Sequence, residues 1–237
     1  MKKWALVTGG AVGIGEAIAI NLASQGINIV ISYRKSKDLA DKVVEKIVSE
    51  YKVKALAIKM DSTCENDVIE SFNTLNKENI IISILVNNAG DYLYKNILDV
   101  NYTEWKYIID NNLNGTFLVS QEFLKHRKPK SWGRIINIGY VHSGMMMAKK
   151  MITPYYIAKS GVYQLTMALA KELASDNITI NMVSPGVMEN SVNVGKDLPI
   201  YRYGKLNELV ELINYLLSDK AEYITGSQID IGGGFGI

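Results

Sequence analysis

The sequence predicts one α/β domain: a three-layer sandwich in which a doubly wound parallel sheet lies between two helical layers. Three observations carry this reading. Short β-branched runs alternate from end to end with longer amphipathic segments, a glycine-rich turn from Gly9 to Gly15 sits between the first strand and the first helix, and no linker, repeat or low-complexity stretch divides the 237 residues. Right-handed crossovers wind such an alternation into a single sheet whose ligands bind at the carboxyl ends of the strands. Residues 1–237 are therefore expected to form a single domain.

The first strand is expected at Trp4–Thr8, followed by a helix over Ile14–Gln25 that Gly26 ends and a second strand over Ile27–Tyr33. Asp38–Tyr51 has helical periodicity, and Val53–Lys59 reads as strand three. Thr63 is the expected N-cap of a helix over Glu65–Leu75, before strand four at Ile82–Asn87. Either Asp99 or Thr103 is expected to open one long helix reaching about Lys125. Strand five follows Gly133 as Arg134–Ile138, and Thr153-Pro154 opens a helix to Ala174, proline being suited to a first turn. Strand six is Ile178–Val183, the last helix Asn207–Leu217 and the closing strand Gln228–Ile231.

A hydrophobic content of 48% with 21% charged residues excludes a disordered chain and allows a substantial core. The net charge of +2 is too small to argue for nucleic acid, and the cluster Lys125, Arg127, Lys128 and Lys130 around His126 reads as a solvated helix end. Cys64 is the only cysteine, which fits a reducing cytosol, and no CxxC or His-rich pattern suggests a metal. Lys2-Lys3 before an apolar stretch superficially resembles a secretory signal, but Gly9, Gly10, Gly13 and Gly15 interrupt it. No apolar run approaches the ~20 residues needed to cross a bilayer. The expectation is a cytoplasmic protein with no membrane or nucleic-acid partner.

The glycine turn carries the first chemistry. A strand ending at Thr8 and a helix starting near Ile14 aim free N–H groups and the helix dipole at a pyrophosphate. Gly9 allows the turn, Gly13 a close backbone approach and Gly15 contact between helix and sheet. At the end of strand two an acidic residue would hold a ribose 2′-hydroxyl and repel a 2′-phosphate. Here Tyr33 is followed by Arg34, Lys35 and Ser36, which suit a phosphate and point to NADP(H).

The second chemistry lies in Tyr155-Tyr156-Ile157-Ala158-Lys159. Tyr155 and Lys159 are four apart and share a helix face. A phenol with an ordinary pKa of ~10 is a poor acid near neutrality, and a neighbouring ammonium favours its ionised form. That pairing suits reversible carbonyl reduction.

Spacing of the glycines as Gly-x-x-x-Gly-x-Gly, with Asp61 after strand three, Asn87-Asn88-Ala89-Gly90, Asn112, Tyr155/Lys159, Pro185-Gly186 and the ending Ile224-Thr225-Gly226 to Gly232-Gly233, resembles the short-chain dehydrogenase/reductase family over essentially the whole chain. The resemblance implies a Rossmann-like fold. It also implies a cofactor site of Gly9, Val12, Gly13, Ile14, Tyr33, Arg34, Lys35, Pro185 and Gly186, with Asp61 and Ser62 flanking the adenine, Asn88, Ala89 and Gly90 on the adenosine side, and Val187 near the carboxamide. It selects Tyr155 over Tyr156 as proton donor and gives Lys159 the nicotinamide ribose and the tuning of the phenol. Asn112, favoured over Asn111 by the following Leu-x-Gly, would support a water relay to the lysine.

The family's substrate-orienting serine is absent from its place. Tyr140 stands there, Ser143 lies nearby, and an insertion around Met145–Met151 leaves the register open between them. The substrate region is expected over 140–152 and 187–205, with Met145, Met146, Met147 and Met151 as pocket candidates and Ser191–Leu198 as a short lid that leaves the site open. Among family members the chain most resembles 3-oxoacyl-acyl-carrier-protein reductases, which implies a ketone substrate that is small or carrier-bound and a homotetramer paired through the helices at Thr103–Lys125 and Pro154–Ala174. Two other readings remain: a reductase of another carbonyl or a pterin-like ring, and a non-catalytic NADP-binding regulator, which Tyr140 in the serine slot motivates.

Overall fold

The computed structural model describes residues 3–145, 147–191 and 198–235. In chain order the elements are β1 (Trp4–Val7), α1 (Gly13–Ser24), β2 (Asn28–Tyr33), α2 (Lys37–Tyr51), β3 (Ala55–Lys59), α3 (Glu65–Lys77), β4 (Ile84–Asn87), α4 (Tyr102–Ile109), α5 (Gly115–His126), β5 (Gly133–Ile138), α6 (Thr153–Glu172), β6 (Ile178–Pro185), α7 (Leu206–Leu217) and β7 (Gln228–Ile231). The strands form one parallel sheet in the order β3-β2-β1-β4-β5-β6-β7. The chain thus winds outward in one direction from β1 and in the other from β4, as expected.

Alternation along the strands builds two cores. Ala5 and Val7 of β1, Ile84 and Val86 of β4 and Ile136 and Ile138 of β5 face a cluster completed by Ile18, Leu22, Val43, Ile47, Leu209 and Ile213 of α1, α2 and α7. Leu6, Leu85 and Ile135 face the opposite cluster, with Phe72, Val119 and Phe123 of α3 and α5. No helix among the described residues is long and apolar enough to cross a membrane.

Three expectations about helix ends are corrected. Cys64, not Thr63, is the N-cap of α3, because the Thr63 amide and hydroxyl both donate to Asp61 Oδ1, at 3.0 and 2.7 Å. Neither Asp99 nor Thr103 opens α4. Asn101 does, in a reciprocal capping box: its side chain accepts from the Glu104 amide at 2.9 Å, and Glu104 accepts from the Asn101 amide at 3.0 Å. The single long helix to Lys125 is two helices, α4 and α5, joined by a π-helical turn over Asp110–Asn114. Side chains loosen the ladder there. Asn111 Nδ2 donates to the Tyr107 carbonyl (2.8 Å), Asn112 Nδ2 to that of Ile108 (3.0 Å) and Thr116 Oγ1 to that of Asn112 (2.8 Å). Each competes for a carbonyl four residues earlier.

Just past the end of β1 at Val7, the Thr8 side chain joins the two halves of the sheet. Its buried hydroxyl accepts from the amides of Asn88 and Ala89, both at 2.9 Å, and Asn88 Nδ2 returns a bond to the Thr8 carbonyl at 3.0 Å. Thr8→Val keeps the shape and strips two amides of their acceptor, so it is expected to cost about 2–4 kcal/mol of stability. A urea titration that left the midpoint unchanged would contradict this.

Candidate functional site

A cleft of about 540 Å³ opens where the strand order reverses, at the carboxyl ends of the central strands. Its wall contains Gly9, Val12 and Ile14 of the glycine turn, Tyr33, Arg34 and Lys35 after β2, Asp61 and Ser62 after β3, Asn88 to Gly90 after β4, and Pro185 closing β6. Tyr155, Lys159 and Asn112 enter the same wall. Gly13, Gly186, Val187 and Tyr140 do not border this cleft. Gly13 supplies the turn behind it, and Val187 lines a second cavity of about 290 Å³ with Leu198 and Ile200. A Cβ on Gly186 would stand 2.8 Å from Gly232 Cα, so two backbones meet there.

The turn is built for backbone approach. Gly9 and Gly13 both lie in the left-handed region, at φ +62° and +58°, where other residues are strained. A Cβ on Gly15 would clash with the Gly9 carbonyl and with Asn88 Nδ2, so α1 lies close against the neighbouring loop. Val12 caps α1 in extended conformation with no side-chain hydrogen bond, leaving the first-turn amides to a ligand. These features fit a pyrophosphate.

At the other rim Arg34 turns back across the cleft. Its Nη1 donates to Asn111 Oδ1 at 2.9 Å, and its Nη2 to Tyr107 Oη at 3.0 Å and to Asp91 Oδ2 at 3.3 Å. The Tyr107 hydrogen bond holds the Arg34 pKa above its ordinary value against the cost of burial, with Asp91 and Asp61 adding. Burial works to raise the Asp61 pKa, but the Thr63 hydrogen bonds and the charges of Arg34 and Lys35 outweigh it and hold the carboxyl below its usual range.

The reacting end is carried by α6. Lys159 is buried, donates from Nζ to the Ile138 carbonyl at 2.8 Å, and stands 5.6 Å from the Tyr155 ring centroid. Desolvation lowers its pKa to about 8. Tyr155 goes the other way: burial, then the neighbouring phenols of Tyr140 and Tyr92, raise its pKa. The net shift of the phenol is thus upward, not the expected lowering, because desolvation is the largest cause. With Lys159 turned to a backbone carbonyl, desolvation governs Tyr155. Tyr156 points elsewhere, its hydroxyl donating to the carbonyls of His142 and Met145.

Asn112 is fully buried in the π turn, where Nδ2 donates to the carbonyls of Asp91 (2.8 Å) and Ile108 (3.0 Å). Its Oδ1 has no partner among the described residues and faces the space beside Gly90 and Lys159 Nζ. A buried acceptor of this kind calls for water or ligand. Tyr140 places its ring edge-on to Tyr155, 5.8 Å between centroids, and to Tyr156, 6.2 Å. Ser143 is buried, and its hydroxyl closes on the Tyr140 carbonyl, so it faces its own turn and not the cleft. Met146 and 192–197 lie outside the described residues.

Comparison with known proteins agrees with this geometry. The family described as enoyl-(acyl carrier protein) reductase matches residues 9–236. The chain is 36% identical to the 3-oxoacyl-[acyl-carrier-protein] reductase FabG of Aquifex aeolicus over 242 residues, covering 98% of this chain and 96% of that protein. It superposes on a short-chain dehydrogenase/reductase from Serratia marcescens with a TM-score of 0.90 at 32% identity, covering 99% of this chain and 98% of the other. A short chain dehydrogenase from Burkholderia cenocepacia in complex with NADP gives 0.89 at 29% identity, with 98% and 97% covered. The chain belongs to the short-chain dehydrogenase/reductase family.

As a member of that family the protein is an oxidoreductase. Several residues of its cleft escaped sequence reasoning: Asp91, Tyr92, Asn111, Ser32 and Met60 all border it. Tyr92 packs edge-on to Tyr155 at 5.0 Å. Asp91 and Tyr92 directly follow Asn88-Ala89-Gly90, so extending that motif by two residues would have found them. Asn111 was weighed only as a rival to Asn112, and its actual partner, Arg34, lies 77 residues away.

A folded-state lysine pKa lowered to about 8 binds fewer protons than the unfolded chain between pH 8 and the ordinary lysine value, so stability rises with pH through that window. Between pH 8 and 10 the gain is on the order of 2–3 kcal/mol relative to a chain without the lysine. Lys159→Met should remove that rise and unfold later at pH 7. Denaturant midpoints for both chains at pH 7, 8, 9 and 10 test this, and parallel profiles would refute it.

Proposed function

We propose that the protein reduces a ketone to an alcohol with NADPH, most specifically a 3-oxoacyl chain held on an acyl carrier protein. The observation that carries this reading is one cleft containing half-buried Tyr155 beside buried Lys159, the Asn112 oxygen that has no partner among the described residues, and the cations Arg34 and Lys35. Relatives support it: 3-oxoacyl-[acyl-carrier-protein] reductases of similar sequence, and two similar solved structures in complex with NADPH or NADP.

The cofactor, when bound, supplies the hydride. Tyr155 supplies the proton. Burial keeps its phenol protonated over the working range, which suits donation to a carbonyl oxygen gaining negative charge, the sense of reduction. Lys159, with a pKa of about 8, is mostly cationic at pH 7 and offsets the phenolate charge as the proton leaves. Asn112 Oδ1 would hold a water that returns a proton toward the lysine. In this reading Tyr140, whose ring leans on Tyr155, takes the part of the missing serine and hydrogen-bonds the carbonyl.

One observation favours a second substrate class. Tyr92 and Tyr140 both stand edge-on to Tyr155, an arrangement that also accepts a flat conjugated carbonyl such as a pterin-like ring. A panel of acyl-thioester, aromatic ketone, steroid and pterin substrates, followed by NADPH oxidation, separates the two. Tyr155→Phe should lower kcat by about 10²–10⁴ while NADPH binding is unchanged. Tyr140→Phe should lower it by about 10². Failure of the whole panel with intact NADPH binding would favour the non-catalytic regulator.

The protein is further proposed to be a cytoplasmic homotetramer. Phe117 and Leu124 of α5 and Leu169 of α6 line an outward apolar groove of about 320 Å³ on the helices expected to pair, and the exposed free thiol of Cys64 fits a reducing compartment. Sedimentation at micromolar concentration should show four chains, and Phe117→Lys should shift the particle toward smaller species. A monomer from the unaltered protein would overturn the assignment.

A further inference from the structure

The cation expected to read the 2′-phosphate is already engaged. Arg34 sits on the cleft wall, yet both Nη2 protons are directed at Tyr107 Oη and Asp91 Oδ2 and one Nη1 proton at Asn111 Oδ1. Tyr107 Oη in turn donates to Asp91 Oδ2, so carboxylate, phenol and guanidinium close a ring. The Arg34 guanidinium also lies 5.8 Å from the Tyr107 ring centroid. These contacts tie the end of β2 to α4 and to the loop after β4, across the mouth of the cleft. We propose that Asp91 is a positioning residue that latches Arg34 over the cleft and thereby weakens the discrimination of NADPH from NADH, a proposal that rests on reading Arg34 as the 2′-phosphate ligand.

The charge balance supports a latch over a guide. A 2′-phosphate brings about two negative charges to a rim where Asp61 and Asp91 already face Arg34 and Lys35. To serve the phosphate with its paired Nη2 face, Arg34 must give up Asp91 and Tyr107. Arg34 and Asp91 side chains are 34% and 42% exposed, so the pair is a surface pair and its hold is weak enough to be displaced. A dinucleotide without the 2′-phosphate makes no demand on Arg34 and leaves the latch closed.

Isothermal titration calorimetry with NADPH and NADH on the full chain tests this. Asp91→Asn should tighten NADPH roughly three- to tenfold and change NADH by less than about twofold. Asp91→Glu, which keeps the charge, should resemble the unaltered protein. Arg34→Ala should weaken NADPH selectively, and adding Asp91→Asn to it should have no further effect, since the carboxylate then has nothing to hold. If Arg34→Ala weakens NADPH but Asp91→Asn leaves it equal or weaker, the latch is overturned and the phosphate reading stands. An Asp91→Asn gain that persists without Arg34 also overturns the latch, because Asp91 would then act on the phosphate directly. If Arg34→Ala leaves the NADPH-to-NADH ratio unchanged, the phosphate reading itself falls, and the latch with it.

Discussion

The cleft exists because β1 and β4 are neighbours whose crossovers leave on opposite faces of the sheet, and Thr8 is the residue that holds that seam together. A parallel sheet satisfies its strand interiors by ladder bonds, but at the carboxyl ends of β1 and β4 the chain departs both ways and amides are left over. The Thr8 hydroxyl takes two of them, and Asn88 Nδ2 answers to the carbonyls of Thr8 and Gly9. This seam fixes the glycine turn opposite the loop after β4. From β4 a buried polar chain continues: Asn87 Nδ2 donates to Ser120 Oγ and Asn137 Oδ1, and Asn137 Nδ2 to Thr166 Oγ1 on α6. The helix that carries Tyr155 and Lys159 is thus referenced to the seam by hydrogen bonds as well as by packing.

Burial then sets the protonation of the pair. Desolvation works against charge on both groups, raising the phenol and lowering the ammonium, so each is moved toward its neutral form. The displacement is unequal in consequence. A phenol already protonated near neutrality becomes a more secure proton store, whereas a lysine brought to about 8 comes within reach of losing its charge. In the proposed reaction, donation from Tyr155 is assisted only while Lys159 remains cationic, and the lysine's bond to the Ile138 carbonyl leaves two ammonium protons for other partners.

What was legible in the sequence is what is local. The seven strands, the glycine turn and the Tyr155–Lys159 spacing are carried by periodicity and short motifs, and the structure has them within a few residues. The misread parts depend on side chains that bond back to the main chain or across long separations. Thr63 looks like a cap until Asp61 claims its hydroxyl, and the break between α4 and α5 comes from Asn111, Asn112 and Thr116, residues that a helical wheel treats as ordinary polar positions. Counting along the chain could not show where Ser143 points, because that depends on its hydroxyl folding onto the Tyr140 carbonyl.

The Asp91-Tyr92 dipeptide touches both ends of the cleft through three different groups. The Asp91 carboxylate holds Arg34 at the proposed phosphate end, its carbonyl holds the Asn112 amide, and the Tyr92 ring leans on Tyr155. A shift of this loop that freed Arg34 would also move the acceptor that orients Asn112 and the ring that packs on Tyr155. Groups sharing a backbone segment do not respond independently. The two ends of the cleft are therefore coupled through two residues. A side-chain change at Asp91 that leaves the backbone in place can separate them, because the Asn112 bond is made to the main chain, whereas a change that displaces the loop disturbs Arg34, Asn112 and Tyr155 together.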